Sequence, residues 1–481
     1  MRKFLDKYRN MPVQVRASFW FLICSFMQKG ISTITTPIFT RLFSTAEYGQ
    51  YNVFNSWLSI VTVFVTLNLS SGVYAQGLVK FDDERKILSS SLQGLMTVLV
   101  LVWTAIYLVA HDFWNGLLGL TTVQMLAMMV MIWATAAFGF WANEQRVSYQ
   151  YKNLVILTFA ISLAKPIVGI VFVLLAEDKV TARILGLVLV ELVGYTALYV
   201  IQMRRGKMFF STKFWKYALT FNLPLLPHYL SLTVLSGADR IMIKSMVGES
   251  EAGIYSLAYS VSLIMTLFNT SLMQTVSPWI YQKIKSKNIT DIAPIAYMTM
   301  SAIAGVNLLL IVFAPEIVAI FAPSSYYEAI YVIPPVAMSV YFMFSYDLFA
   351  KFAFYYEKTK FIMIASVIGG VLNIVLNYIF IGLCGYKAAG YTTLACYMIY
   401  CFGHYIFMRM VCRQCCDGIM PYDTKKIVGV TGVFLFAGFG LLFTYDYPVI
   451  RYGVIIVVMV IAFIKRKMIV GIVKKIMVVK K

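Results

Sequence analysis

Leu154–Ala176 reads L-V-I-L-T-F-A-I-S-L-A-K-P-I-V-G-I-V-F-V-L-L-A, twenty-three residues with one charge, Lys165. As a helix rising 1.5 Å per residue it is ~35 Å long, enough to cross a hydrocarbon core of ~30 Å. The run is continuous, whereas a barrel strand alternates over ~10 residues, so the pattern favours a helix that satisfies its own backbone. Working outward, Arg146 and Lys152 flank its N-terminal end, and similar apolar runs recur to either side along the whole chain.

The 481 residues are 60% hydrophobic and only 13% charged, with a mean hydropathy of +0.78. Soluble domains carry about 25% charged residues. The expected fold class is therefore all-α integral membrane, with about fourteen transmembrane helices.

Placing the N-terminus in the cytoplasm puts 32 of the 41 Lys and Arg in segments on that side. Five fall on the other side (Arg41, Lys179, Arg183, Lys387 and Arg451) and four lie within spans. By the positive-inside rule this predicts a multi-pass protein of the cytoplasmic membrane with both termini inside. The formal charge of +20 then follows from topology and does not call for a nucleic-acid partner. Met1–Arg16 is basic, and no small-residue cleavage site follows the first apolar run. It is expected to remain as a cytoplasmic segment.

The predicted outer loops are all short, about a dozen residues or fewer, too small to fold as a domain. This disfavours a membrane-embedded sugar polymerase, which would want a large catalytic loop. Seven cysteines are present. The C-x-x-C-C cluster Cys412–Cys416 falls in a predicted cytoplasmic loop and has no second ligand pair nearby, so neither a metal nor a cofactor is expected.

An internal repeat is visible. Glu47-Tyr48-Gly49-Gln50-Tyr51 and Glu251-Ala252-Gly253-Ile254-Tyr255 share E-x-G-x-Y, and Ser56 matches Ser260 at the same offset. The six-span spacing is even, so the halves would have parallel topology about an axis along the membrane normal. The expected segments are 1–16, a first half over 17–216, a second over 217–426, two further helices over 427–464 and a basic tail over 465–481.

Charges inside the spans mark candidate functional residues, because each costs about 2.5–3.5 kcal/mol at a helix centre unless it is partnered or wet. In the first span, Ser25, Lys29, Ser32, Thr33, Thr36 and Thr40 form one polar stripe beside Gln28, and Pro37 permits a bend. Lys165 and Glu191, on the fifth and sixth spans, reach similar depth; they read either as a structural ion pair or as part of a proton- or substrate-linked site. The seventh span carries Pro224, Pro227, His228, Asp239, Arg240 and Lys244. Arg240 and Lys244 are a like-charge i,i+4 pair that Asp239 or an anionic ligand would relieve. Lys244 lies near a helix end and is also placed to snorkel. Asn373 and Asn377 are i,i+4 on the eleventh span, suited to interhelical hydrogen bonds or to a polar cavity lining. Basic groups outnumber acids in the spans, which suits an anionic substrate wherever they face water.

Five segments together resemble a known family: Thr36–Gly49 (T-P-I-F-T-R-L-F-S-T-A-E-Y-G), Asn222–His228 (N-L-P-L-L-P-H), Ala238–Ile243 (A-D-R-I-M-I), Ala252–Tyr259 (A-G-I-Y-S-L-A-Y) and Asn373–Ile381 (N-I-V-L-N-Y-I-F-I). In this order they are similar to the Wzx-type polysaccharide or oligosaccharide flippases of the multidrug/oligosaccharidyl-lipid/polysaccharide exporter superfamily. The resemblance implies two pseudo-symmetric six-helix lobes in a V shape plus two C-terminal helices. It implies alternating access that moves an undecaprenyl-pyrophosphate-linked oligosaccharide for surface polysaccharide assembly. Membrane lipids and other assembly proteins would be its partners. Lys29, Lys165, Arg240, Lys244 and Arg41 would then meet the anionic headgroup. Asp239, Glu191 and His228 would serve ion coupling or pairing, and Gln28, Thr33, Thr36, Asn373 and Asn377 would line the path. Lipid II flippases are the nearest alternative reading; a multidrug exporter should show an acidic, aromatic cavity instead.

Overall fold

The computed structural model describes residues 13–464, and all secondary structure among them is helical. Most of the expected 1–16 segment and the whole 465–481 tail lie outside the described residues.

Two compact units divide between Gly237 and Ala238. The first contains α1 (Val13–Leu42), α2 (Thr45–Thr66), α3 (Gly72–Lys80), α4 (Arg85–Val109), α5 (His111–Leu118), α6 (Thr122–Val147), α7 (Tyr151–Leu175), α8 (Lys179–Gly206), α9 (Thr212–Asn222) and the first half of α10 (Leu226–Met246). The second takes the rest of α10. It continues with α11 (Glu249–Ser262), α12 (Thr266–Lys285), α13 (Ile292–Val312), α14 (Ala314–Phe321), α15 (Ile333–Tyr355), α16 (Thr359–Cys384), α17 (Ala388–Cys415), α18 (Thr424–Leu442) and α19 (Pro448–Ile464).

Eleven helical segments are long and apolar enough to cross a membrane, which makes this a multi-pass membrane protein. α1 and α2, at 30 and 22 residues, are long enough but too polar to qualify, and α19 contributes a shorter apolar stretch, Pro448–Val457. Counting these three, the fold is compatible with the fourteen passes expected.

Within the first unit α8 packs against α4, α6 and α7, and α1 against α7. The approach of α8 is close enough that a Cβ at Gly206 would collide with the Lys86 carbonyl. Within the second unit α17 packs against α15 and α16 in the same relation that α8 bears to α6 and α7. The repeat extends to short helices: eight-residue α5 follows α4 as eight-residue α14 follows α13. Glu47 and Glu251 occupy the same third position of α2 and α11. Glu47 completes a capping box there: Ser44 Oγ accepts from the Glu47 amide, and Glu47 Oε2 accepts from the Ser44 amide at 2.7 Å.

Two helical passes are interrupted. Pro224 and Pro227 leave a 3₁₀ turn, Leu223–Leu225, between α9 and α10, as the prolines predict. A second turn, Leu263–Met265, separates α11 from α12 with no proline to announce it. Past α2 the chain turns left-handed at Leu67 and Asn68 (φ 50° and 54°). Non-helical backbone at such a place needs protein partners. Asn222 Nδ2 donates to the Leu67 carbonyl at 2.8 Å, and Asn143 Nδ2 donates to the Ser70 carbonyl at 2.5 Å.

Candidate functional site

On α1 Ser25, Gln28, Lys29 and Ser32 of the expected stripe are exposed on the first unit and Thr33 and Thr36 are half-buried, whereas Thr40 is buried and leaves it. Its hydroxyls donate down their own helix, Thr33 to the Lys29 carbonyl at 2.9 Å and Thr36 to the Ser32 carbonyl at 2.9 Å. Their hydrogens are thereby engaged and their lone pairs face outward. Pro37 cannot donate to the Thr33 carbonyl, which leaves one more acceptor near the bend. The Arg41 guanidinium folds back to the Pro37 carbonyl at 2.8 Å.

Lys165 and Glu191 meet. Nζ of Lys165 donates to Glu191 Oε1 at 2.6 Å, with the glutamate side chain 4% and the lysine side chain 31% exposed. A carboxylate thus offsets the Lys165 charge, the ion pair that the similar depth of the two residues allowed. The same holds for Lys244, whose Nζ lies 3.2 Å from Glu249 Oε1 at the start of α11.

In the second unit Asp239 is 1% exposed and fully engaged. Tyr255 donates its hydroxyl to Oδ2 at 2.6 Å, Thr393 donates to Oδ2 at 2.9 Å, and Asn377 Nδ2 donates to Oδ1 at 2.6 Å. Asn377 Nδ2 also reaches Asn373 Oδ1 at 3.2 Å, and its own Oδ1 accepts from Thr392. Four helices, α10, α11, α16 and α17, converge here on one carboxylate. Asn373 and Asn377 are therefore interhelical ties that close around Asp239, buried rather than open lining. The Arg240 guanidinium lies 4.2 Å from the Tyr259 ring centre, in cation–π range. The two tyrosines of the repeat have parallel duties. Tyr255 binds Asp239, while Tyr51 lies 4.2 Å from the Arg183 guanidinium.

Arg183 was counted with the loops in the sequence, yet it lies against rings, 3.0 Å from the Phe39 ring centre as well as 4.2 Å from that of Tyr51. Lys179 donates to the Leu42 carbonyl at 3.0 Å, at the C-terminal end of α1 where a cation is favourable. Lys387 pairs with Glu328 and Arg451 with Glu316. Four of the five basic residues assigned to that side of the membrane therefore tie helix ends together. His228 stands in the first unit against Tyr229, with ring centres 5.7 Å apart and Nδ1 without a hydrogen-bond partner among the described residues. Only its i,i+11 spacing from Asp239 linked the two in the sequence.

A family model described as "Polysaccharide biosynthesis protein" matches residues 15–283, more than half of the chain. The chain belongs to the polysaccharide biosynthesis protein family. A second model, MatE, matches residues 224–379. Among family relatives in Haemophilus influenzae, Lsg locus putative protein 1 is 25% identical over 212 residues, covering 41% of this chain and 51% of that protein. The chain thus spans about half the length of that relative. An uncharacterized membrane protein of the same species is 20% identical over 374 residues, 74% of this chain and 88% of that one. The fold is shared with a multidrug resistance MATE transporter of the MOP superfamily, solved inward-facing: TM-score 0.61, 13% identity, covering 82% of this chain and 96% of that one.

Proposed function

We propose that this protein is a transporter that moves undecaprenyl-pyrophosphate-linked oligosaccharide repeat units across the cytoplasmic membrane by alternating access, for surface polysaccharide assembly. One observation carries the reading: the two acids buried deepest in the spans, Glu191 and Asp239, are both engaged, while α1 exposes a basic residue. Glu191 is bonded to Lys165 and Asp239 is enclosed by three donors, whereas Lys29 stands exposed on a stripe of hydroxyls. A lysine at that depth of a helix is tolerated where it meets water or an anion. On the first unit, Lys29 and Arg41 of α1 are the groups that answer a pyrophosphate; on the second, taken by itself, Arg240 is the candidate. Ion coupling at Asp239 would require its bonds from Tyr255, Asn377 and Thr393 to open first.

Deletion of the gene followed by analysis of lipid-linked sugars tests this directly. Complete repeat units should accumulate on the cytoplasmic face. Single units accumulating outside would indicate a polymerase, and a normal lipid-linked pool would remove the reading. The MatE match over 224–379 favours a second reading, export of organic cations. It predicts drug hypersensitivity in the deletion strain with surface polysaccharide intact.

A further inference from the structure

A cavity of about 480 Å³ opens between α12 and α15 within the second unit, at a distance along the chain from every charge discussed above. Its size lies in the range of small-molecule sites. The α12 wall is a helical face of neutral polar groups, Thr266, Asn269, Thr270, Gln274 and Ser277, and the α15 wall carries Phe344, Tyr346 and Asp347.

Met273, Met343 and Phe344 make most of the lining apolar, and the polar groups set into it are biased toward acceptors. Thr266 donates to the Leu263 carbonyl at 2.6 Å and Thr270 to the Thr266 carbonyl at 2.8 Å, so both hydroxyls turn lone pairs outward. Pro278 lies inside α12 and cannot donate to the Gln274 carbonyl four residues back. Asn269 uses its Nδ2 on the Val340 carbonyl at 2.9 Å, while its Oδ1 is buried without a donor in a side chain only 9% exposed. That oxygen lies behind the cavity surface, and the exposed groups of this face are Thr270 and the Gln274 amide, which both donates and accepts. Asp347 is one-third exposed, and Lys351 at 2.7 Å neutralises it while leaving carboxylate lone pairs free. Beside these acceptors the Tyr346 ring is fixed edge-on by Tyr400 at 4.7 Å and flanked by His404 at 5.4 Å.

Acceptors and a carboxylate repel phosphate, so this cavity does not suit the anionic headgroup. A carboxylate and amide carbonyls next to a fixed aromatic ring match a ligand whose surface alternates hydroxyl donors with C–H faces. We infer that the α12–α15 cavity is a binding site for the sugar portion of the transported lipid, separate from the basic residues that answer its pyrophosphate. The inference rests on the lipid-linked oligosaccharide reading above and adds where its sugars lie.

The test compares two probes on the purified full-length protein in detergent: undecaprenyl pyrophosphate, and the undecaprenyl-linked oligosaccharide extracted from the deletion strain. Wild type should bind the glycosylated lipid more tightly. In Gln274→Leu and Asp347→Asn together, that advantage should fall at least tenfold while affinity for undecaprenyl pyrophosphate is kept. Thr270→Val, which removes one exposed hydroxyl without changing shape, should give a smaller loss in the same direction and guards against misfolding. An undiminished advantage in all variants, or a wild type that binds both lipids equally, overturns the sugar site and leaves the transport reading standing. A wild type that binds neither lipid overturns both.

Discussion

Replacing Asn377 with leucine, nearly its own shape, tests whether the Asp239 cluster holds α10, α11, α16 and α17 together. The change removes the 2.6 Å bond to Asp239 Oδ1, the 3.2 Å bond to Asn373 Oδ1 and the acceptor of the Thr392 hydroxyl. A hydrogen bond to a charged group is worth about 1.5–3 kcal/mol, and a buried acceptor left bare costs about 1–3 kcal/mol. Polar contacts between membrane helices have measured smaller, about 0.6 kcal/mol on average. Because Asp239 keeps Tyr255 and Thr393, a net loss of about 2 kcal/mol is expected. For a unit of this size that is roughly 4–8 °C in Tm, at about 2–4 °C per kcal/mol. The assay is thermal unfolding of purified protein in detergent, run as a double-mutant cycle with Asp239→Asn. Residues in one network should couple, so the double variant should lose about 1 kcal/mol less than the sum of the singles. Additive losses, or an unchanged Tm in Asn377→Leu, would refute a cooperative cluster.

Glu191→Gln should lower Tm, because it leaves Lys165 without its carboxylate; removing one partner of a buried pair costs up to about 3–5 kcal/mol, and less here because Lys165 is partly exposed. The double variant Lys165→Met/Glu191→Leu should recover most of that loss in the same melt, which a catalytic or coupling role for the pair would not predict of transport. Asn222→Ala should cost about 1–3 kcal/mol by stranding the Leu67 carbonyl, and protease nicking of the 67–71 turn should rise with it. Lys244→Gln should leave surface polysaccharide near wild type, since Glu249 already meets that charge, whereas Arg240→Ala should abolish it.

Much of this molecule is legible in its residues. Apolar runs such as Leu154–Ala176 announce membrane-spanning helices because lipid imposes one length scale on all of them. The repeat E-x-G-x-Y is legible too, since Glu47 and Glu251 occupy the same turn of α2 and α11. The break between α11 and α12 was not, because Leu263–Met265 carries no proline or glycine and tertiary packing sets it. Arg183 looked like a loop charge, since sequence position places it at a helix end but says nothing of the Phe39 and Tyr51 rings that lie against it. Pairing decided Lys165 and Lys244, and a partner 26 or five residues away cannot be told from a coincidence by spacing alone. The α12–α15 cavity escaped for a different reason. Its threonines, amides and serine are neutral, each is ordinary in a membrane helix, and only their common face beside Tyr346 and Asp347 gives them meaning.

Reconstituted transport tests the central claim most directly. Purified protein in proteoliposomes loaded with undecaprenyl-linked oligosaccharide should raise the fraction of glycan open to a membrane-impermeant glycosidase well above protein-free vesicles. Lys29→Ala should return it to the protein-free level. Wild-type rates in Lys29→Ala, or no acceleration by the wild type, would contradict the account.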